Sequence, residues 1–245
     1  MIEYQAVQKI YNRKIPIKSA SFSVSKGEFV LLAGPSGAGK STLLKMLYKE
    51  EKPNSGNIIV YNRNIRKIRT KKLRRMLGVV FQDFEATLLK NKTAYENVAY
   101  VLESLGMSPF RIRKQTEEAL DRLGILDKAK QYPSELSGGE KQRVAIARAI
   151  VNKPEIILCD EPTGNLDAEN EKIVMHYLNE LNQEGATILM TTHNVNILNE
   201  ERKRILWVSD GKVSDYIVED VKNKKIDITS LLQKSVMGSG QEGTQ

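Results

Sequence analysis

Residues 34–41, GPSGAGKS, fit G-x-x-x-x-G-K-[ST], a pattern that works only between the end of a strand and the start of a helix. The flanks supply both. Residues 28–33, EFVLLA, read as a short apolar strand, and 40–49 read as a helix. A buried strand feeding a helix through a tight loop commits the chain to an α/β architecture. Gly34, Gly37 and Gly39 let the backbone turn sharply with its N–H groups pointing inward. The helix start adds its positive end. Pro35, Ser36, Ala38 and Thr42 complete the run of candidate phosphate-binding positions. Lys40 can bridge the outer phosphates of a nucleotide, and Ser41 can hold a magnesium ion.

The rest of the chain extends this plan. Residues 2–25 alternate in patches, as strands of an antiparallel element do. Strands follow at 57–61, 77–82, 156–159 and 186–191. Two more, at 205–208 and 213–217, flank Asp210-Gly211, a strong hairpin turn. Helices are expected at 137–152, closed by Pro154, and after Asp167, with Ile173, Val174, Tyr177, Leu178 and Leu181 on one face. Strands alternating with helices imply a mostly parallel sheet covered on both sides. The stretch 93–133 is too helical for that alternation. The expectation is one domain over 1–220, a helical subdomain at about 84–153, and a partly disordered extension at 221–245.

Composition narrows the class. With 40% hydrophobic and 28% charged residues, the chain is an ordinary globular one, and no apolar run is long enough to cross a bilayer. The opening Met1-Ile2-Glu3-Tyr4 lacks the basic-then-apolar pattern of a secretory signal. Cys159 is the one cysteine, so no internal disulfide can form and a reducing interior is expected. The net charge is +8, with Arg63, Arg66, Lys67, Arg69, Lys71, Lys72, Arg74 and Arg75 crowded together. That cluster suits a solvated face, an anionic membrane surface or nucleic acid. No aromatic interleaving or nucleic-acid motif favours the last.

A second set of residues belongs with the glycine loop. The run at 156–161, IILCDE, is a buried strand ending in two acids, at the edge where ligands bind in open α/β sheets. An isolated acid pair would be a helix cap or a solvated patch. Beside a glycine loop, Asp160 can serve the magnesium shell and Glu161 can polarise a water. His193 follows another buried strand and reaches the same kind of edge, where it can contact a γ-phosphate. Gln82, at a strand end, can sense the metal or the water.

A further anion-directed element lies about a hundred residues on. LSGGE at 136–140 contains S-x-x-E, a capping box worth about 1 kcal/mol. Two glycines just inside the cap each cost roughly 1 kcal/mol relative to alanine. Close backbone approach to a phosphate would explain them. The first loop already supplies its own donors, so that phosphate would sit on a second copy of the chain.

With these motifs in this order, the chain resembles the ATP-binding-cassette (ABC) ATPases over residues 2–217. The resemblance implies a P-loop NTPase of α/β class. Its parts would be a RecA-like, mostly parallel sheet core, an N-terminal antiparallel β subdomain and a helical subdomain. It implies hydrolysis of ATP with Mg2+ in a homodimeric sandwich. Gln82 then matches the Q-loop, Asp167 the D-loop and His193 the switch histidine, while Tyr11 matches the aromatic that stacks on adenine. Catalysis would rest on Glu161, His193, Gln82 and Lys40, and the metal on Ser41, Gln82 and Asp160. Ser137, Gly138, Gly139, Glu140 and Asp167 would act on the nucleotide of the twin chain.

Longer stretches are similar to the bacterial cell-division ATPases of the FtsE type: KMLYKEEKP at 45–53, VFQDF at 80–84, LDKAK at 126–130 and VNKPEIILCDEPTGNLD at 151–167. This implies an FtsX-like integral membrane partner, a place on the cytoplasmic face of the membrane, and control of cell-wall hydrolysis. Lipoprotein-releasing and macrolide-export ATPases share much of this text. Two departures concern the partner-facing region. The basic segment before Gly78 is short, and FEATLLK at 84–90 lacks the expected leucine-leucine-proline. A soluble ABC ATPase acting on DNA or ribosomes and a non-catalytic nucleotide sensor are the remaining classes.

Overall fold

The computed structural model describes residues 1–11, 14–164, 166–201 and 203–216. The expected extension at 221–245 lies outside them, as does residue 217. The chain forms two compact units, residues 1–73 with 189–245, and residues 74–188.

The first unit is built on a sheet. Strands β1 (Ile2–Tyr11), β2 (Lys14–Val24), β3 (Phe29–Ala33), β4 (Ser55–Val60), β5 (Arg63–Asn64), β9 (Arg204–Ser209) and β10 (Lys212–Tyr216) lie in the order β5-β4-β1-β2-β10-β9-β3. The N-terminal part is antiparallel, β1 pairing with β2 and with β4. Strand β3 runs parallel to β9, from Val30 beside Arg204 to Ala33 beside Trp207. Every residue of β3 is buried, which accounts for its unbroken apolar text. Tyr4 anchors the antiparallel part. Its ring stacks on Phe22 at 4.4 Å, and its hydroxyl donates to the Leu43 carbonyl of helix α1 (Lys40–Leu47) at 2.8 Å. Burial pushes its phenol far above the usual range. The hairpin of β9 and β10 turns at Asp210 (φ 50°) and Gly211 (φ 74°), the paired positive φ values of a type I′ turn. Arg204 closes the sheet's end, donating to Asp215 and Glu28 and, at 3.0 Å, to the Ser23 carbonyl.

The second unit pairs β6 (Leu77–Val80) in parallel with β7 (Ile156–Asp160) and carries a group of helices. These are α3 (Phe84–Thr87), α4 (Ala94–Ser104), α5 (Pro109–Arg122), α6 (Gly138–Ile150) and α7 (Ala168–Gln183). The unit boundaries fall inside α2 (Thr70–Met76) and β8 (Thr187–Thr192); α8 (Val195–Glu200) follows β8. Helix α4 starts in a capping box between Thr93 and Glu96. The fully buried Asn97 has its amide satisfied, donating to the carbonyls of Leu89, Lys92 and Thr93 and accepting from the Leu89 N–H at 2.8 Å. That network pins the 88–93 segment.

Two local expectations are corrected. The strand expected to end on Gln82 stops at Val80, because Asp83 caps α3 through the Ala86 N–H at 2.9 Å and the chain turns before it. The buried stripe of α7 is Val174, Met175, Leu178 and Leu181. Met175 is inside, while Ile173 and Tyr177 are only half-buried.

Candidate functional site

Strand β3 delivers the chain into the glycine loop at an edge crowded by its neighbour β9. A Cβ on Gly34, whose φ is +144°, would stand 2.1 Å from the Val208 carbonyl oxygen, so only glycine fits there. Gly37 and Gly39 also have positive φ, 75° and 103°. Past the loop, α1 begins at Lys40. The Lys40 side chain is 4% exposed, and its ammonium donates to the carbonyls of Gly34 at 2.8 Å and Pro35 at 2.9 Å. The cation is thus folded back onto its own loop. Ser41 and Thr42 follow, both half-buried. Ile17, fully buried on β2, supports the loop from below; a Cβ on Gly39 would meet its Cδ1 at 2.7 Å.

Two other candidates belong to this unit. Tyr11 is half-buried at the end of β1, with the Lys9 ammonium 4.5 Å from its ring centroid. Lys9 also pairs with Glu51 at 2.6 Å, which holds that carboxyl below its usual range. Burial, and then the charge of Glu51, raises the Tyr11 phenol. His193 is exposed directly after β8, whose six residues are all buried.

The second unit carries the acids. Asp160 ends β7 and Glu161 follows it with φ 46°, a left-handed backbone that non-glycine residues seldom adopt. Such outliers persist where surroundings over-determine them, commonly at functional positions. The Gln82 amide nitrogen donates to Glu161 Oε2 at 3.4 Å, so these two candidates are brought together.

The LSGGE segment folds as its capping box requires. The Glu140 N–H donates to Ser137 Oγ at 3.3 Å, and the Ser137 N–H donates to Glu140 Oε2 at 2.7 Å. That second bond holds the Glu140 carboxyl below its usual range. Ser137 and Gly138 are exposed, and a Cβ on Gly138 would meet nothing within 4 Å. Gly139 is different. It is buried, and a Cβ there would lie 2.2 Å from Asn170 Oδ1. The two glycines therefore answer to different demands: Gly138 keeps an outward face bare, and Gly139 admits a side chain from α7. Asp167 caps α7, accepting from the Asn170 N–H at 2.8 Å, which lowers its carboxyl.

Sequence reading passed over Gln142, Arg143 and Asn170. Gln142 is fully buried on α6 and donates to the Pro162 carbonyl at 2.6 Å, next to Glu161. A lone glutamine one turn before buried Ile146 was the available clue.

A glycine loop between buried strand and helix, with acids at the edge of a parallel strand pair, defines a P-loop nucleotide-hydrolase architecture. Residues 17–164 match the family model described as "ABC transporter", and the chain belongs to that family. It is similar to the cell division ATP-binding protein FtsE of Bacillus subtilis, with 46% identity over 86% of this chain and 93% of the relative. The protein of the same name from Escherichia coli K12 is 43% identical over 86% and 96%. Among solved structures, the ATP-binding cassette MJ0796, in a dimeric post-hydrolysis state bound to ADP and Pi, superposes with a TM-score of 0.80 at 35% identity, covering 89% of this chain and 99% of that one. The CbiO1 protein of Clostridium perfringens gives a TM-score of 0.83 at 30% identity, with 91% of each chain covered.

Proposed function

We propose that this chain is the ATP-hydrolysing subunit of a membrane complex for cell division, working as a pair of chains that share two ATP molecules. The exposed Ser137–Gly138 cap carries the two-chain part of this reading: its outward face is bare, and the start of a helix suits a phosphate that the chain's own loop does not need. The dimeric state of the MJ0796 cassette supports it. The FtsE relatives support the cell-division role.

In this reading the 34–41 amides and Lys40 hold the β- and γ-phosphates. Glu161, steadied by Gln82, orients the attacking water and accepts its proton. His193 contacts the γ-phosphate. Ser137 and Gly139 of the second copy complete the charge stabilisation. Tyr11 stacks on the base. By chemistry alone, a hydroxyl from Ser41, a carboxylate from Asp160 and an amide oxygen from Gln82 are the hard oxygen donors that would suit magnesium together with water and phosphate oxygens. Bound there, magnesium would neutralise charge shared by the β- and γ-phosphates.

No helix among the described residues is long and apolar enough to cross a membrane. An FtsX-like integral partner would dock near the segment after Gln82 and hold the chain at the cytoplasmic face. That segment is tied to α6, Arg148 donating to the Thr87 carbonyl at 2.6 Å and Lys141 pairing with Glu85 at 3.0 Å, so a push there reaches the Ser137 cap. CbiO1, part of the ABC transporter complex CbiONQ, supports a second reading as the ATPase of a transport system. Identifying the integral protein that co-purifies from membranes separates the two: four spans with a large external domain fit the division role, and a substrate-lined path through the membrane fits transport.

The enzymology is tested with Glu161→Gln. ATP binding should persist, phosphate release should fall by about 10²–10⁴, and a dimer should accumulate with ATP on size exclusion. Turnover at the wild-type rate would remove Glu161 from its role.

A further inference from the structure

Asn170 uses every face of its side chain, and each face meets a different part of the proposed trans-acting surface. Its amide nitrogen donates to Asp167 Oδ2 at 2.9 Å. Its amide oxygen accepts from Arg143 Nη1 at 3.0 Å. Its body lies so close to Gly139 that a Cβ there would be 2.2 Å from Oδ1 and 2.5 Å from Cγ. One side chain thus touches the D-loop aspartate, the cap glycine and the helix that carries the cap. Next along α6, Gln142 grips the Pro162 carbonyl at 2.6 Å, at the other end of the loop that leads from Glu161 to Asp167. Of two consecutive α6 side chains, Gln142 thus bonds Pro162 directly and Arg143 reaches Asp167 only through Asn170.

We propose that Asn170 is a positioning residue that fixes the spacing between Asp167 and the Ser137–Gly139 cap, so that both reach the twin chain's nucleotide in one movement. This rests on the two-chain reading above. The cap of α7 does not need the Asn170 side chain, because Asp167 Oδ1 is already served by the backbone N–H of residue 170 at 2.8 Å. The amide is thus surplus to local helix stability and makes its sense as a clasp between two elements. Preorganisation of this kind is sensitive, since a misplacement near 1 Å can cost about 10²-fold in rate.

The test uses the full-length chain and two variants. Asn170→Ala removes both side-chain bonds and keeps the backbone cap. Asn170→Asp keeps the acceptor for Arg143, replaces the donor facing Asp167 with a repelling oxygen, and adds a negative charge where a helix start favours one. Both should bind a fluorescent ATP analogue within about twofold of wild type, lose about tenfold or more in kcat at little change in KM, and, in the Glu161→Gln background, form the ATP-dependent dimer at roughly tenfold higher protein concentration. Arg143→Ala combined with Asn170→Ala should be no slower than Asn170→Ala alone, since the two share one bond. If the Glu161→Gln protein dimerises with ATP and both Asn170 variants match it, with kcat within twofold of wild type, the clasp is wrong and the two-chain site stands. If kcat falls only in step with the melting temperature across the two variants, Asn170 is merely structural and the clasp is again wrong. If Glu161→Gln itself stays monomeric with ATP, the two-chain site and the clasp fall together.

Discussion

Gly34 and Gly37 share one loop but resist substitution for unequal reasons. A methyl at Gly34 would be driven into the Val208 carbonyl, whereas one at Gly37 would enter open space and bear only its backbone strain. Gly34→Ala should therefore lower unfolding stability by about 1–3 kcal/mol or more, through overpacking added to strain, and Gly37→Ala by about 1–2 kcal/mol. Urea melts of the two variants check the order; equal losses would mean that the β9 contact gives way freely. At this scale most of the candidate site is legible in motifs, the glycine loop that carries Lys40, the strand-end acids that include Glu161 and the two glycines behind the Ser137 cap. Asn170 is not. Nothing in its neighbourhood of polar residues marks it, and its meaning comes from the Gly139 backbone thirty-one positions earlier in the chain.

Helix starts and strand ends were readable where short-range chemistry decides them. The caps at Ser137 and Asp167 and the hairpin at Asp210-Gly211 each rest on residues within a few positions of one another. The end of β6 differs from the reading because apolar Phe81 continues the pattern after the strand has stopped, and the buried face of α7 gains Met175 while Ile173 and Tyr177 fall to its half-buried margin. The α6 cap carries a pH dependence whose sign follows from its bonds. The Glu140 carboxyl is lowered chiefly by the Ser137 N–H it accepts. Its contribution is thus fully present above the ordinary glutamate pKa of about 4.3, and is lost as pH falls through the lower folded value. The amide resonance of Ser137 should shift with an inflection below the ordinary range, and Glu140→Gln should flatten it while keeping the acceptor. An inflection at or above the ordinary value would contradict the box.

At the scale of the assembled pair, a shared site makes a prediction no single-chain enzyme can meet. Lys40→Ala spoils a chain's own loop, and Ser137→Arg spoils what it offers its twin. Each variant alone should be inactive. Mixed together, they should regain phosphate release, because a hybrid pair unites the intact loop of one chain with the intact cap of the other. No recovery in a mixture shown to form hybrids would leave each chain hydrolysing ATP by itself. The sequence points to the proposed arrangement only through a surplus, one phosphate loop and a second anion-directed cap.

The folded-back amine of Lys40 has a bearing on how loss of that residue should be interpreted. Its contacts with the Gly34 and Pro35 carbonyls brace the loop. Deleting the amine removes that brace along with any phosphate contact it makes. An alanine phenotype at this position therefore overstates the strength of the phosphate grip by whatever the brace contributes to the loop itself.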